Sequence, residues 1–519
     1  MEKKIYMKKF DVVVVGAGFG GLSCALTLQS MGLKVALVEA LDKIGGRAYV
    51  ECKQDFKFDR GPTIITAPFL IDDIFSMSGA NRADYCEFIP VDPFYKVIFD
   101  DGTSISHYNS EEKFYNEILN VSADDLQGVK NFFLHAEKIF QKGFIELGDK
   151  NFSGLISMLG VAPQLLKLHA IRPVYSMVSK YVKNEKIKQF LSFHPLLIGG
   201  SPFRASAVYS LINKLERAYG VYHAVGGMHK LAEAFRKRFE EIGGEVFLSS
   251  PVSAVDKLPS GLFEIQTPNQ VFYSERIVAN ADMHRFVKTV LRGDAYPKKL
   301  SKKLDKADLS MSAFLLYLGT NKQWPNMCQH SIILGPRYKE LIHDIFIKKI
   351  EFEDFCLYLH IPTRSDASLA PQGGEVIYAL VPVANLNSNT NWDEYKLTMA
   401  ERVKSFLEER FMPGLRSSIV VESVFTPKDF DLTLRSHLGN AFGLEPWILQ
   451  SAGFRPSNVS SEVDGLYFVG ANTQPGAGLP GVILSSRITC RLLANDMGSI
   501  KMPSLLSKLP TAFNYVNNN

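Results

Sequence analysis

At 519 residues the chain is longer than one hydrophobic core can serve, so two or three domains are expected. Hydrophobic residues at 46% and charged residues at 22% exclude a disordered chain. A formal charge of +4, without a Lys/Arg-dense patch interleaved with aromatics, excludes a nucleic-acid partner.

Lys3, Lys4, Lys8 and Lys9 precede an apolar run from Phe10 to about Leu28, which superficially resembles a secretory leader. The run is split by Gly16, Gly18, Gly20 and Gly21, whose spacing has another cause. Val12–Val15 is a β-branched run with the composition of a buried parallel strand. Gly16-Ala17-Gly18-Phe19-Gly20-Gly21 follows as G-x-G-x-x-G. Leu22, Ala25, Leu26 and Leu28 then recur at helical spacing, Gly32 ends the helix, and residues 33–38 read as a second strand delivering Glu39 and Ala40. Each part has a task at a dinucleotide. Gly16 allows the tight turn, Gly18 lets backbone approach a pyrophosphate, and Gly21 permits close helix–strand packing. The helix N-terminus offers N–H groups to phosphate, and the Glu39 carboxylate can accept from ribose hydroxyls.

Gly45-Gly46-Arg47 comes next and is similar to the second pyrophosphate contact of two-dinucleotide-binding flavoproteins, which implies FAD rather than a nicotinamide. Arg47 supplies a planar, permanently charged fork suited to phosphate oxygens. Phe58-Asp59-Arg60-Gly61-Pro62-Thr63 resembles the loop that passes beside the flavin in that group, which adds Gly61, Pro62 and Thr63 to the candidate cofactor residues.

A short strand, 94–99, and a turn at Asp100-Asp101-Gly102 lead into a helical region expected from about Ser110 to Phe193. Between 161 and 190, Lys167, Arg172, Lys180, Lys183, Lys186 and Lys188 stand against a single acid, Glu185, among Leu166, Leu168, Ile171 and Val174. Such a basic amphipathic stretch suits an anionic membrane surface, or a solvated face packed on a core. Gly226-Gly227 opens a helix that ends at Gly243-Gly244; a strand at 245–248 leads to Val252, and residues 277–282 read as a further strand carrying Asn280 and Asp282. Near the C-terminus, residues 466–469 form a strand before a glycine-rich loop and a helix from about Gly481.

Six cysteines, Cys24, Cys52, Cys86, Cys328, Cys356 and Cys490, show no C-x-x-C or metal-type spacing and read as reduced thiols in a cytosolic compartment. No stretch approaches the 18 to 20 uninterrupted apolar residues of a membrane span.

Several blocks resemble the bacterial and fungal phytoene desaturases: Ser192 to Tyr209, Gly220-Val221-Tyr222, Gly335-Pro336-Arg337-Tyr338, Leu357-Tyr358-Leu359-His360, Phe454-Arg455-Pro456, and Gly470-Ala471-Asn472-Thr473-Gln474-Pro475-Gly476-Ala477-Gly478-Leu479-Pro480-Gly481-Val482. The likeness runs from about residue 10 to residue 497. It implies an α/β architecture, in which a Rossmann-type FAD-binding domain is interleaved with a mixed β-sheet substrate domain and a helical, membrane-associating region. The segments expected are 1–95, 216–295 and 461–500 for FAD, 96–215 for the helical region, 296–460 for substrate, and 501–519 as a tail.

The resemblance also implies chemistry. Val252 is placed at the adenine, and Gly470, Ala471, Gly478, Pro480, Gly481 and Val482 at the flavin. There the helix dipole would stabilise negative charge as the flavin accepts hydride. The substrate implied is phytoene, a lipid-soluble polyene carried to neurosporene or lycopene in an apolar tunnel, with oxygen or a membrane quinone as reoxidant. A cytoplasmic enzyme resting on a membrane surface is implied. Asn472 and Gln474 stand where relatives often have Gly and His, and Ile156-Ser157 where some carry Arg-Asp, so no catalytic acid or base is carried over. Tyr222, His223 and Arg455 are pocket candidates. Three alternatives stay open. One is a diapophytoene desaturase, ketolase or isomerase of the same superfamily. Another is an amine oxidase or protoporphyrinogen oxidase, expected to share only the N-terminal site. The last is a flavin-free prenyl-lipid-binding protein on the same scaffold.

Overall fold

The run Val12–Val15 has no polar position, so a strand built from it must be covered on both faces. In the computed structural model, which describes residues 6–152, 160, 163, 166–350 and 352–498, it ends the strand Tyr6–Val15. This strand pairs in parallel with Val35–Val38 on one side and Gln270–Ala279 on the other. Glu245–Phe247 extends the sheet beyond Val35–Val38, and Leu466–Phe468 pairs beside Gln270–Ala279. An antiparallel pair, Ala254–Lys257 and Phe263–Gln266, completes seven strands. Strands from the N-terminal, middle and C-terminal stretches therefore share one sheet.

Alternation divides its two faces. Val12 and Val14 pack with Leu22 and Leu26 of the helix Phe19–Ser30, Leu231 and Phe235 of the helix Met228–Glu241, and Ile483 of the helix Leu479–Asp496. Val13 and Val15 face Val255, Ile265 and Phe286 on the other side. The free thiols of Cys24 and Cys490 lie 3.5 Å apart where the first and last helices meet, and all six cysteines are unbridged.

The second sheet also has seven strands, in the order Ile419–Phe425, Ser312–Thr320, Glu375–Val383, Leu357–His360, His330–Ile333, Tyr95–Ile98, Ser104–His107. All its pairs are antiparallel except His330–Ile333 with Tyr95–Ile98, which gives the mixed sheet that the resemblance implies. Phe314, Leu316, Ile377 and Val381 point to one face and bury Trp392, Met399, Val403 and Leu407 of the helix Trp392–Arg410. The opposite face presents Ala313, Leu315, Tyr378, Leu380 and Pro382 to a cavity.

Some expected bounds are corrected. The helical region is not continuous. Glu111–Val121 and Leu126–Phe140 are followed by a π turn at Gln141–Glu146, then short helices Val174–Val178 and Glu185–Ser192. Extended Pro173 opens the first short helix, and Asn184, whose side chain accepts from the Lys186 and Ile187 N–H groups, restarts the second. Ile156-Ser157, part of the basic stretch (161, 162, 164 and 165) and the tail 501–519 lie outside the described residues. The strand expected to run to residue 282 ends at Ala279, so Asn280 and Asp282 sit on the loop beyond it, and the last helix begins at Leu479, with Pro480 in its first turn. No helix among the described residues is long and apolar enough to cross a membrane.

Candidate functional site

The parallel strands Tyr6–Val15 and Val35–Val38 end at turns carrying Gly16–Phe19 and Glu39–Leu41, and both turns border a cavity of about 1120 Å³. This is where open α/β sheets place ligands, outside the carboxyl ends of their strands. Every residue expected at the cofactor lines this cavity except Gly21. Gly21 lies behind the turn, where a Cβ would collide with the Gly16 carbonyl oxygen. Its role is to let helix and turn touch, so among the residues expected at the cofactor Gly21 is corrected to a packing position off the cavity wall. Asn280 fills the same space, donating to the Gly16 carbonyl at 3.2 Å.

Glu39 is buried, and its carboxylate accepts from the Ala17 N–H at 2.7 Å and the Leu41 N–H at 2.9 Å. Burial raises its pKa above the ordinary carboxylate range, against the opposing pull of those two bonds. The turn and the acid are thereby one unit, with lone pairs left for hydroxyls. Arg47 donates Nη2–H to Ser436 Oγ at 2.9 Å, while its buried Nε has no protein partner among the described residues. Burial lowers the Arg47 pKa and the charge of Asp282 offsets this. A cation held in a cavity wall with an unmatched donor suits a phosphate oxygen.

The segment Asp59–Thr63 joins three bodies. Asp59 Oδ2 accepts from the Met228 N–H at 2.6 Å and so caps the helix Met228–Glu241. Arg60 pairs with Glu51, donates to Ser423 Oγ at 2.8 Å and lies 4.2 Å from the Tyr317 ring. A Cβ at Gly61 would strike the Arg47 carbonyl oxygen, so this segment is pressed against the Gly-Gly-Arg turn. Thr63 Oγ1 then meets Tyr358 Oη of the second sheet at 2.6 Å.

Gly478 precedes the helix Leu479–Asp496, and no side chain caps it. Gly478, Leu479, Pro480, Gly481 and Val482 all border the cavity, so the positive end of an 18-residue helix faces it. Asn472 and Gln474 have structural duties. Asn472 Oδ1 accepts from the Leu444 N–H at 3.1 Å; Gln474 accepts from the Phe152 N–H at 2.8 Å and donates to its carbonyl at 3.2 Å.

Beyond the nucleotide turns the cavity runs between the second sheet (Ala313, Leu315, Ile332, Leu380) and a helical wall (Phe144, Phe193, Ile212, Leu215). Leu166 and Ile171 line it while being 53% and 52% exposed, and Phe454 while 37% exposed, so it opens to the surface there through an apolar rim.

The three pocket candidates are not on the wall. Tyr222 sits on the strand Tyr222–Ala224, bonded through its backbone to Ile65. His223 is buried with Nε2 3.9 Å from Asp366 Oδ2. Arg455 is buried beneath the C-terminal loop, where it donates to the carbonyls of Gln450 (3.1 Å), Leu444 (3.2 Å) and Ala471 (2.6 Å). Local sequence missed Tyr358, Tyr378 and Leu380. Their strands, Leu357–His360 and Glu375–Val383, carry apolar residues on both faces, so nothing local marked which face meets the nucleotide.

The flavin containing amine oxidoreductase family matches residues 19–494. A lycopene-forming phytoene desaturase of Pseudescherichia vulneris is 40% identical over 493 residues, 95% of this chain and 100% of that one. A neurosporene-forming phytoene desaturase of Rhodobacter capsulatus is 38% identical over 93% of each chain. The chain belongs to the phytoene desaturase branch of the flavin-containing amine oxidoreductases. Putrescine oxidase with bound putrescine superposes with a TM-score of 0.63 at 13% identity, covering 95% of this chain and all of that one, which speaks for fold alone.

This phytoene desaturase relative is an FAD-dependent oxidoreductase. The residues fit the cofactor: an acid braced for ribose, an unmatched arginine donor, and an uncapped helix end share one cavity. With that cradle intact, nothing favours a flavin-free lipid binder. Likeness to the amine oxidases was expected only at the N-terminal site; the family match extends through nearly the whole chain and corrects that expectation.

Proposed function

We propose that this chain desaturates phytoene, a C40 polyene, to neurosporene or lycopene. The observation that carries the proposal is the continuity of the FAD cradle with a long apolar cavity that ends in an apolar rim. FAD would supply the hydride acceptor. The protein's part is to bind, align and dry the substrate. Leu315, Leu380 and Ile332 on one wall and Phe144, Phe193 and Leu215 on the other offer a hydrocarbon only dispersion contacts, which suits a substrate without polar handles. Gly16, Gly18, Phe19, Gly20, Glu39, Ala40 and Val252 would hold the nucleotide portion, Gly45, Gly46 and Arg47 the pyrophosphate, and Gly61, Pro62, Thr63, Gly470, Ala471 and Gly478–Val482 the flavin.

The exposed apolar residues Leu166 and Ile171 adjoin the exposed cations Lys167 and Arg172, which supports a rim resting on an anionic bilayer that delivers the substrate. Oxygen or a membrane quinone would accept the electrons afterwards. Expression in a bacterial host that accumulates phytoene is the test. Red or yellow extracts with lycopene-like or neurosporene-like bands support the proposal, and colourless extracts beside FAD-loaded protein refute it. Sedimentation with anionic vesicles, lost in Leu166→Asp/Ile171→Asp, tests the membrane contact. Turnover under nitrogen with and without added quinone separates the two reoxidants.

A further inference from the structure

Removing hydride from one carbon of the polyene leaves a cation, and the neighbouring carbon must then lose a proton whose C–H electron pair becomes the new double bond. Some group on the cavity wall receives that proton. Three carboxylates line the cavity among the described residues: Glu39, Asp282 and Glu216. The first two belong to the nucleotide turns. Glu39 is committed to the Ala17 and Leu41 N–H groups, and Asp282 accepts from the Arg285 N–H at 3.0 Å and Asn440 Nδ2 at 3.3 Å. Glu216 stands in the helical wall, where Oε2 accepts from Tyr95 Oη and meets His194 Nε2, both at 3.2 Å.

The junction of cofactor and substrate walls holds a different set. Thr63 and Tyr358 both line the cavity, and Tyr358 Oη lies 2.6 Å from Thr63 Oγ1 and 2.7 Å from His330 Nδ1. Register makes this meeting: Tyr358 pairs with Ile332 and His360 with His330, so Tyr358, His330 and His360 share the cavity face of the second sheet. The His330 and His360 rings stack at 8° with centroids 4.6 Å apart. His330 is fully buried and its Nε2 has no partner among the described residues. The titratable groups facing this set are Tyr378 from Glu375–Val383, His223 from Tyr222–Ala224, and Asp366.

We propose that Tyr358 receives the substrate proton while passing its own phenolic proton to Nδ1 of His330, which acts as a positioning base behind it. This rests on the reading of the cavity as the site of polyene desaturation. The balance is complete: FAD, when bound, would take the hydride with its electron pair, the adjacent C–H pair forms the double bond, and the proton adds to Tyr358 Oη as the phenolic proton leaves for Nδ1. His330 ends as imidazolium and Tyr358 is again a neutral phenol. Thr63 holds the phenol oxygen in place through the loop that touches Arg47. Burial, and then neighbouring His223, hold the His330 pKa down to about 3, so the imidazole is neutral before each turnover, with Nδ1 placed to accept from the Tyr358 hydroxyl and His360 Nδ1 3.1 Å away. A C–H bond next to a carbocation is acidic enough to yield to so weak a base.

The test uses purified, FAD-loaded protein on phytoene-laden vesicles, reading FAD content, KM and kcat separately. Tyr358→Phe and His330→Asn are expected to keep FAD and KM while kcat falls about 100-fold, the lower range of general-base effects. His330→Gly should regain turnover with added imidazole, a rescue that a packing role does not allow. If Tyr358→Phe fails to load FAD, that rescue decides. Retention of kcat within about threefold in Tyr358→Phe, well short of a general-base loss, overturns the proposal. So does a loss confined to Glu216→Gln, or a His330→Gly that imidazole leaves inactive. A wild-type chain that leaves phytoene unchanged defeats the desaturase reading itself.

Discussion

Replacing Arg47 by methionine separates the needs of the empty protein from those of the cofactor. Methionine keeps most of the length and the apolar stem, while the guanidinium disappears. In the protein alone Arg47 makes one side-chain hydrogen bond, to Ser436, and no carboxylate lies within ion-pair distance of it among the described residues. Burial opposes its charge, and the charge of Asp282 offsets that cost. The apo chain should therefore keep its stability within about 1 kcal/mol, the net worth of one ordinary hydrogen bond. FAD should suffer much more. Two charge-assisted bonds from the fork to pyrophosphate, at about 1.5 kcal/mol each, are worth about 3 kcal/mol, or roughly 100-fold in Kd. At FAD a hundred times the original Kd, ligand stabilisation would drop from about 2.7 to about 0.4 kcal/mol. Equilibrium dialysis gives Kd, and denaturant titration with and without FAD gives both stabilities. An unchanged Kd, or an apo protein that loses stability as much as the holo protein does, refutes the assignment of Arg47 to the pyrophosphate.

Glu39 makes FAD affinity depend on pH. Its pKa is raised by burial, while ribose hydroxyls donate to the ionised form, so affinity should rise as pH climbs through that raised pKa and fall on acidification. Glu39→Gln should flatten this dependence in a dialysis series. Arg455→Met leaves three buried carbonyls without their donor and should cost about 3 kcal/mol or more in denaturant unfolding, with FAD lost through displacement of the Ala471 loop. Gly21→Val should yield protein without bound FAD, because the added carbons collide with the Gly16 carbonyl; a yellow, stable Gly21→Val would refute that packing role.

Arg455 shows how a motif misleads. Phe454-Arg455-Pro456 stood out as a block, and an arginine beside a flavin loop invites a pocket role. It is buried instead because its fork satisfies carbonyls from two loops, a duty that spacing along the chain does not express. Gly21 performs the packing task its spacing predicts and stays off the cavity wall, since a glycine needed for close approach points its missing Cβ at its neighbour rather than at the ligand.

The nucleotide half was legible in the sequence. Strand, Gly16–Gly21 turn, helix, second strand and Glu39 are neighbours along about 30 residues, so their mutual geometry follows from local spacing: a β-branched run, glycines where chains touch, and an acid at the next strand end. The substrate half came from long-range packing. The pleat of Glu375–Val383 puts Tyr378, Leu380 and Pro382 on one face, but the strand carries apolar residues on both, so either face could have met the nucleotide. The choice comes from the helix Trp392–Arg410, which buries the other face, and from Thr63, which reaches 295 residues along the chain to Tyr358. Contacts of that separation depend on which strands pair and which surfaces close, and those are properties of the packed whole.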